Sequence, residues 1–249
     1  MANYVLVHGA WHGAWCWDKV VPLLQDAGHH AYTPTLTGLG EQAALLAPEI
    51  GLDTHIQDVV NLIETKDLQH VILVGHSYSG MVITGVADRV PHRVAHLVYL
   101  DAVVPHDGQS MADIAHIGTM LRHKAKRNGD GWCVPPPREG RFGKGGLFDV
   151  TEEPDLSLVR SKVTPQSLET FIQPVHIAHK DVVAAIPHTF IECTRRGPVV
   201  WLLRRIFMRR MLRPNETAWN RRTLPSGHDA MIIAPQALAQ LLLEIRPPA

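Results

Sequence analysis

Cysteine is scarce in this chain, and what there is does not pair. Cys16, Cys133 and Cys193 are odd in number and widely separated, which argues against a disulfide framework and for a reducing compartment. They lack metal-site spacing and read as small buried or partly buried thiols. Net charge is missing too. Lys and Arg total 24 and Asp and Glu total 24, so no global field recruits nucleic acid. No apolar run approaches the ~20 residues that span a bilayer. Met1-Ala2-Asn3 leads straight into Tyr4-Val5-Leu6-Val7, without a basic n-region, a long apolar h-region or a small-residue cleavage site. The expectation is a soluble, cytoplasmic protein.

What is present is an ordinary globular mix. Of 249 residues, 45 % are hydrophobic and 19 % charged, enough apolar side chain for a sizeable core. Disordered, collagen-like and small disulfide-stapled proteins are excluded. The length suits one domain, or one domain with an insertion. The neutral total hides an asymmetry. Residues 195–222 hold nine Arg and one acid, Glu216, a local charge of +8 that the rest of the chain balances with −8.

The first half alternates strand and helix signals. Apolar runs at 4–7, 71–74 and 94–100 predict strands, with a shorter one at 31–33. Helical spacing appears at 18–27, 53–65 and 80–89. Continuous apolar runs suit strands buried on both faces, so the class is α/β with a mostly parallel sheet. The rhythm breaks after Pro105. Gly129-Asp130-Gly131, Pro135-Pro136-Pro137 and several further glycines mark a loop-rich stretch, flanked by helical fragments at 110–124 and 165–170. Strand signals return at 189–191 and 223–224, and an apolar helix follows at 235–245 with Pro235 in its first turn. This predicts a core of residues 1–104 and 188–249, with a cap inserted at 105–187.

Gly75-His76-Ser77-Tyr78-Ser79 fits G-x-S-x-G at Ser77, with Ser79 in place of the last glycine and Gly80 one position later. A buried strand precedes it and a helix follows, the context in which a serine sits at a sharp strand-to-helix turn. Side chains flanking that turn collide with it, hence Gly75 and a small Ser79. The helix N-terminus directs backbone N–H groups at a developing oxyanion. A serine that only caps a helix is the bland alternative. Ser79 is the weaker nucleophile, lying inside the turn.

A serine hydroxyl needs a base to take its proton. Of 16 histidines, His8, His76 and His228 stand out, while His29, His30, His92 and His123 read as surface. His228, between the last strand signal and the terminal helix, gives the order Ser, acid, His and is the expected base. The loop after the first strand, His8 to Trp15, brings a second N–H beside the one after the nucleophile. Ala10 and Tyr78 are therefore the expected oxyanion donors.

Val5-Leu6-Val7-His8-Gly9-Ala10-Trp11-His12-Gly13-Ala14-Trp15-Cys16-Trp17, then Gly75-His76-Ser77, then Gly227-His228-Asp229-Ala230-Met231 resemble the α/β-hydrolase superfamily. The nearest branch resembles the esterase and hydroxynitrile-lyase group, with plant methylesterases and bacterial carboxylesterases. The resemblance implies a six-stranded sheet, a helical lid, no cofactor, and ester hydrolysis by a Ser-His-acid triad. In much of that group the acid follows the strand placed here at 189–191, where this chain reads Glu192-Cys193-Thr194 with no Asp. Some haloalkane dehalogenases and lactonases of the superfamily place it one strand earlier. Asp101, ending Val98-Tyr99-Leu100-Asp101, suits that alternative, with Glu192 as runner-up.

Hydroxynitrile lyases of this fold carry a Lys after the catalytic His, whereas Asp229 stands here, a charge expected to oppose a departing cyanide. Cofactor-free oxygenases and non-catalytic binding proteins on the scaffold are further alternatives, both weakened by an intact Ser, His and acid. The expected partner is a small-molecule ester, held in a pocket for which Trp132, Phe142, Leu147, Phe148 and Phe171 are candidate linings. No metal is expected. The Arg-rich segment 195–222 suits either a membrane-surface contact or a surface helix whose Arg stems cover apolar neighbours, and the second is favoured.

Overall fold

The computed structural model describes residues 1–137, 148–195 and 219–245. Six strands form the central sheet: β1 (Asn3–Val7), β2 (His30–Tyr32), β3 (Val71–His76), β4 (Val94–Leu100), then β7 (His188–Cys193) and β8 (Asn220–Leu224). Their order is β2-β1-β3-β4-β7-β8, and every neighbouring pair is parallel. The two central strands β3 and β4 are buried at every position, because helices cover both faces. At the edge, β8 exposes four of its five residues, Asn-Arg-Arg-Thr, and so blunts an edge that would otherwise recruit another strand.

Between the strands lie α1 (Val21–Asp26), α2 (Leu52–Thr65) and α3 (Ser79–Arg89). The stripe predicted at 53–65 is the buried face of α2, with Leu52, Ile56, Val59, Val60 and Ile63 turned to the core. Ten of the eleven residues of α3 are buried, so the helix after the predicted elbow runs through the interior. The chain ends its described part in α9 (Ala230–Ile233) and α10 (Pro235–Leu243).

The segment between β4 and β7 holds α4 (Met111–Ala115), α5 (Gly118–Asn128), α6 (Asp155–Lys162), α7 (Glu169–Ile172), α8 (Lys180–Ala185) and a small antiparallel pair, β5 (Cys133–Val134) with β6 (Gln166–Ser167). The helical fragment expected at 110–124 is present but divided, because Ser110 and Asp113 form a capping box that starts α4 and His116 adopts a left-handed conformation that ends it before α5. The helical fragment at 165–170 opens instead as β6, since its backbone pairs with β5 before α7 begins. Residues 196–218, most of the Arg-rich segment read as a surface helix, lie outside the described residues, as do Phe142 and Leu147. Among the described residues, no helix is long and apolar enough to cross a membrane.

The chain runs from β1 to β2 on one side and returns to β3 on the other. The carboxyl ends of β1 and β3 therefore flank the reversal of strand order, where open parallel sheets form a crevice.

Candidate active site

Ser77 follows β3 and is held at φ +56°, the left-handed region that a residue with a side chain seldom adopts. Its amide donates to Leu100 O at 3.2 Å, and its carbonyl accepts from Val103 N at 3.0 Å and Gly80 N at 3.3 Å. The turn leaves no room beside it. A Cβ on Gly75 would stand 2.7 Å from Ser79 O, and one on Gly80 only 1.8 Å from Val103 O. The second indispensable glycine is thus Gly80, one place after the position where the motif has it. Ser79 is more than small: it is fully buried and its hydroxyl donates to His8 O, tying the elbow to the end of β1.

His228 Nε2 lies 2.9 Å from Ser77 Oγ, and its Nδ1 lies 2.6 Å from Asp101 Oδ2. Because a carboxylate only accepts, Nδ1 carries the proton and Nε2 is left to accept from the serine hydroxyl. Asp101 follows β4 at φ +50°, and its carboxylate has no exposed surface. Its second oxygen accepts from Cys193 N at 3.2 Å, so β7 contributes a backbone amide to the acid. Glu192 is half-buried on β7, and among the described residues no hydrogen bond joins it to His228. Of the two acids that the sequence offers, Asp101 is the one brought to the histidine.

The loop after β1 is brought just as close. A Cβ on Gly9 would meet His76 Nδ1 at 2.8 Å and Ser77 Cβ at 3.2 Å. His8 fixes the loop from below: its Nδ1–H donates to Gly9 O at 2.9 Å, and its Nε2 accepts from Leu36 N at 3.1 Å. Burial lowers the pKa of this ring to about 3, so it stays neutral. Trp11 N donates to Gln166 Oε1 at 2.9 Å and His12 N to Gly9 O at 3.4 Å. Among the described residues, no acceptor meets the amides of Ala10 or Tyr78. Tyr78 itself is anchored through its hydroxyl, which donates to His55 Nδ1 at 3.0 Å while His55 Nε2–H donates to Thr37 O.

Three groups of contacts gave no local signal in the sequence. Trp11 Nε1 donates to Val134 O at 3.1 Å and Thr164 N to Trp11 O at 2.9 Å, which with Gln166 fasten the β1 loop to the 105–187 insertion. His228 N donates to Asp149 Oδ2 at 3.1 Å, and Asp229 N to Phe148 O at 3.1 Å. The third is His12, whose Nε2 lies 3.0 Å from Asp229 Oδ2. That contact corrects the role expected of Asp229. Its carboxylate is fully buried against His12, so it is not a bare charge facing a leaving group. Of the expected pocket linings, Phe171 is fully buried against Trp11 and Tyr78, Phe148 is buried against His12, and Trp132 is half-buried. His30, His92 and His123 are exposed as expected, and half-buried His29 accepts from Ala2 N.

Among the described residues, one grouping has metal-ligand character: His76, His228 and Asp229 offer atoms within 4.8 Å of one another. Both ring nitrogens of His228 are already taken by Ser77 and Asp101, so the set does not suit a metal.

A parallel sheet with a strained serine after its third strand and a histidine contributed late in the chain defines an α/β-hydrolase. The chain belongs to the alpha/beta hydrolase family, which matches residues 4–241, and full-length kinship places it with the esterase-type enzymes of that fold. It is 38 % identical to a carbendazim hydrolyzing esterase of Nocardioides sp. (strain SG-4G), over 97 % of this chain and 98 % of that one. Methylesterase 10 of Arabidopsis thaliana is 26 % identical over 98 % of this chain and 91 % of its own. An extracellular alpha/beta-hydrolase from a Paenibacillus species shares the fold, with a TM-score of 0.79, 22 % identity and 98 % of each chain covered.

Proposed function

We propose that this protein is a serine carboxylesterase that cleaves an ester of a small or medium apolar substrate through an acyl-enzyme. The observation that carries the reading is the hydrogen-bonded series Asp101–His228–Ser77, set on the elbow. His228 Nε2 takes the proton of Ser77 as Oγ attacks the ester carbonyl. Asp101 holds the ring in the tautomer that can accept and stabilises the imidazolium that forms. The amides of Ala10 and Tyr78 receive the oxyanion, and two fixed donors of this kind are worth several kcal/mol at the transition state. The imidazolium then protonates the departing alcohol. A water that loses its proton to His228 cleaves the acyl-enzyme and restores the serine.

In this reading the 105–187 insertion is the cap. Its attachment to the β1 loop through Gln166, Val134 and Thr164 supports the assignment. A serine already hydrogen-bonded to the base favours acyl transfer over the oxygenase alternative, and Asp229 after the base, where the lyases carry a Lys, weakens the lyase alternative. Three cysteines, odd in number and far apart in sequence, support a cytoplasmic setting.

The test is hydrolysis of p-nitrophenyl esters of increasing acyl length by the wild type and by Ser77→Ala. Carbendazim belongs in the panel because a relative is named for its hydrolysis. Turnover that vanishes in the variant supports the reading, and the chain-length optimum sizes the pocket. An inactive wild type, or an undiminished variant, overturns it.

A further inference from the structure

Directly behind the base lies a second pair of charged groups that the mechanism does not use. His12 is 1 % exposed and Asp229 fully buried. The His12 ring is stacked on Trp15 with centroids 5.2 Å apart, and it meets Phe148 edge-on at 4.7 Å. Its Nδ1 lies 2.8 Å from Ala10 O, and its Nε2 lies 3.0 Å from Asp229 Oδ2. A peptide carbonyl and a carboxylate oxygen are both acceptors. With Asp229 ionised, both ring nitrogens must donate, which only the imidazolium can do. A neutral ring would turn one lone pair onto an oxygen, in a place where water cannot relieve it.

The two partners of this ring are informative. Ala10 is the residue whose amide faces the oxyanion in the reading above, and Asp229 is the residue after the base. We propose that His12 and Asp229 form a buried, charge-balanced latch that positions the oxyanion loop against the base loop and cancels a second carboxylate beside His228. The proposal rests on the esterase reading for its kinetic part and on geometry alone for the charge state of His12.

The electrostatics agree. Burial opposes a proton on His12, yet the adjacent Asp229 carboxylate holds its pKa above the ordinary histidine value. Burial likewise opposes charge on Asp229, and the His12 imidazolium keeps its carboxyl below the usual range. The balance matters because the Asp229 carboxylate lies within 4.8 Å of a His228 ring nitrogen. The titratable groups facing His228 are Asp101 after β4, Asp149 from the insertion, His76 on β3 and Asp229 on its own loop. Those facing His12 are Asp229, His76 and His8. His76 and His8 are held neutral by burial, so neither can replace the His12 charge. With His12 in place the pair is neutral overall, and His228 responds to Asp101. Without it, an uncompensated carboxylate favours the protonated base.

Nitrogen-resolved NMR of the wild type, labelled at histidine, reads the charge state without substrate. Two ring N–H signals for His12 at pH 8 are expected, where an ordinary histidine has lost its second proton. One signal overturns the proposal, whatever the ester assay shows. The kinetic arm compares wild type, His12→Gln and the double variant His12→Gln/Asp229→Asn in kcat/KM against pH. In His12→Gln the acid limb should move up by about one pH unit, the low end of what an opposite charge at this distance produces. In the double variant it should return, because the uncompensated charge is gone. Loosening the Ala10 loop should lower kcat roughly ten- to hundredfold with KM little changed, as for small misplacements of catalytic groups. An acid limb unmoved in His12→Gln overturns the electrostatic coupling. So does a double variant that keeps the shift. If His12→Gln does not fold, the NMR result on the wild type decides. Loss of ester turnover in the wild type strikes the esterase reading and leaves the charge state to stand or fall on the spectra.

Discussion

Replacing Asp101 by asparagine separates charge and tautomer control from shape. The change removes one charge and preserves the outline of a side chain with no exposed surface, 2.6 Å from His228 Nδ1. When Ser77 gives up its proton, the imidazolium forms against that carboxylate. At an effective dielectric near 20, charge centres about 4 Å apart attract by about 4 kcal/mol, which is about three decades of rate. A second loss adds to it. The carboxamide can present its NH2 to Nδ1 and so stabilise the tautomer with the proton on Nε2, which cannot accept from the serine. The corresponding change in the Ser-His-Asp template lowers kcat by about 10⁴. Asp101→Asn should therefore lose about 10³- to 10⁴-fold in kcat, with little change in KM. Steady-state hydrolysis of the best p-nitrophenyl ester measures it, with Glu192→Gln in parallel. Glu192→Gln should stay within about threefold, the range of a surface-type change of well under 1 kcal/mol. An Asp101→Asn enzyme within tenfold of wild type, together with a collapsed Glu192→Gln, would reverse the assignment of the acid.

Further outcomes follow from the same geometry. Gly80→Ala would set a methyl 1.8 Å from Val103 O, and urea unfolding should show a loss of at least about 1–3 kcal/mol, the usual cost of overpacking. Gln166→Ala removes the acceptor of Trp11 N and frees the β1 loop from the insertion. Its kcat should fall at least about tenfold, as expected for a displaced oxyanion donor, while KM moves less. Acid should weaken the fold before the carboxylates titrate. Burial lowers the pKa of His8 to about 3 and those of His55, His96 and His188 to about 4, so the unfolded chain binds protons that the folded chain refuses. Stability present above pH 6.5 is then lost as pH falls toward 4, by up to about 1.4 kcal/mol per pH unit for each ring. A urea midpoint that stays constant from pH 7 to 5 would refute this.

The elements legible in the sequence are those fixed by short-range pattern. The strand runs at 71–74 and 94–100 are buried on both faces, so hydrophobicity alone marks them. The elbow was readable because Gly75, Ser77 and Gly80 answer to one turn. The position of Asp101 was readable because a strand end is a place, whatever residue fills it. What stayed hidden depends on contacts distant in sequence. Asp149 accepts from His228 N across 79 residues, and Gln166 from Trp11 N across 155, and nothing near either residue announces its partner. Asp229 could be read only as a charge, because its neutralising partner lies 217 residues away. The helix expected at 165–170 failed for the same reason, since β5 supplies the pairing that overrides local preference.

The strand order has a consequence for how the protein is made. Ser77 and Asp101 belong to the first half of the chain, but the histidine that joins them lies 151 and 127 residues further on. A ribosome that has released β1 to β4 has exposed a serine without a base. If the proposed triad is the active one, chemical competence arrives late in synthesis, once the loop before α9 has returned to the sheet. On the proposed mechanism, fragments truncated before that loop keep Ser77 and Asp101 but lack the base, and they should show no ester turnover.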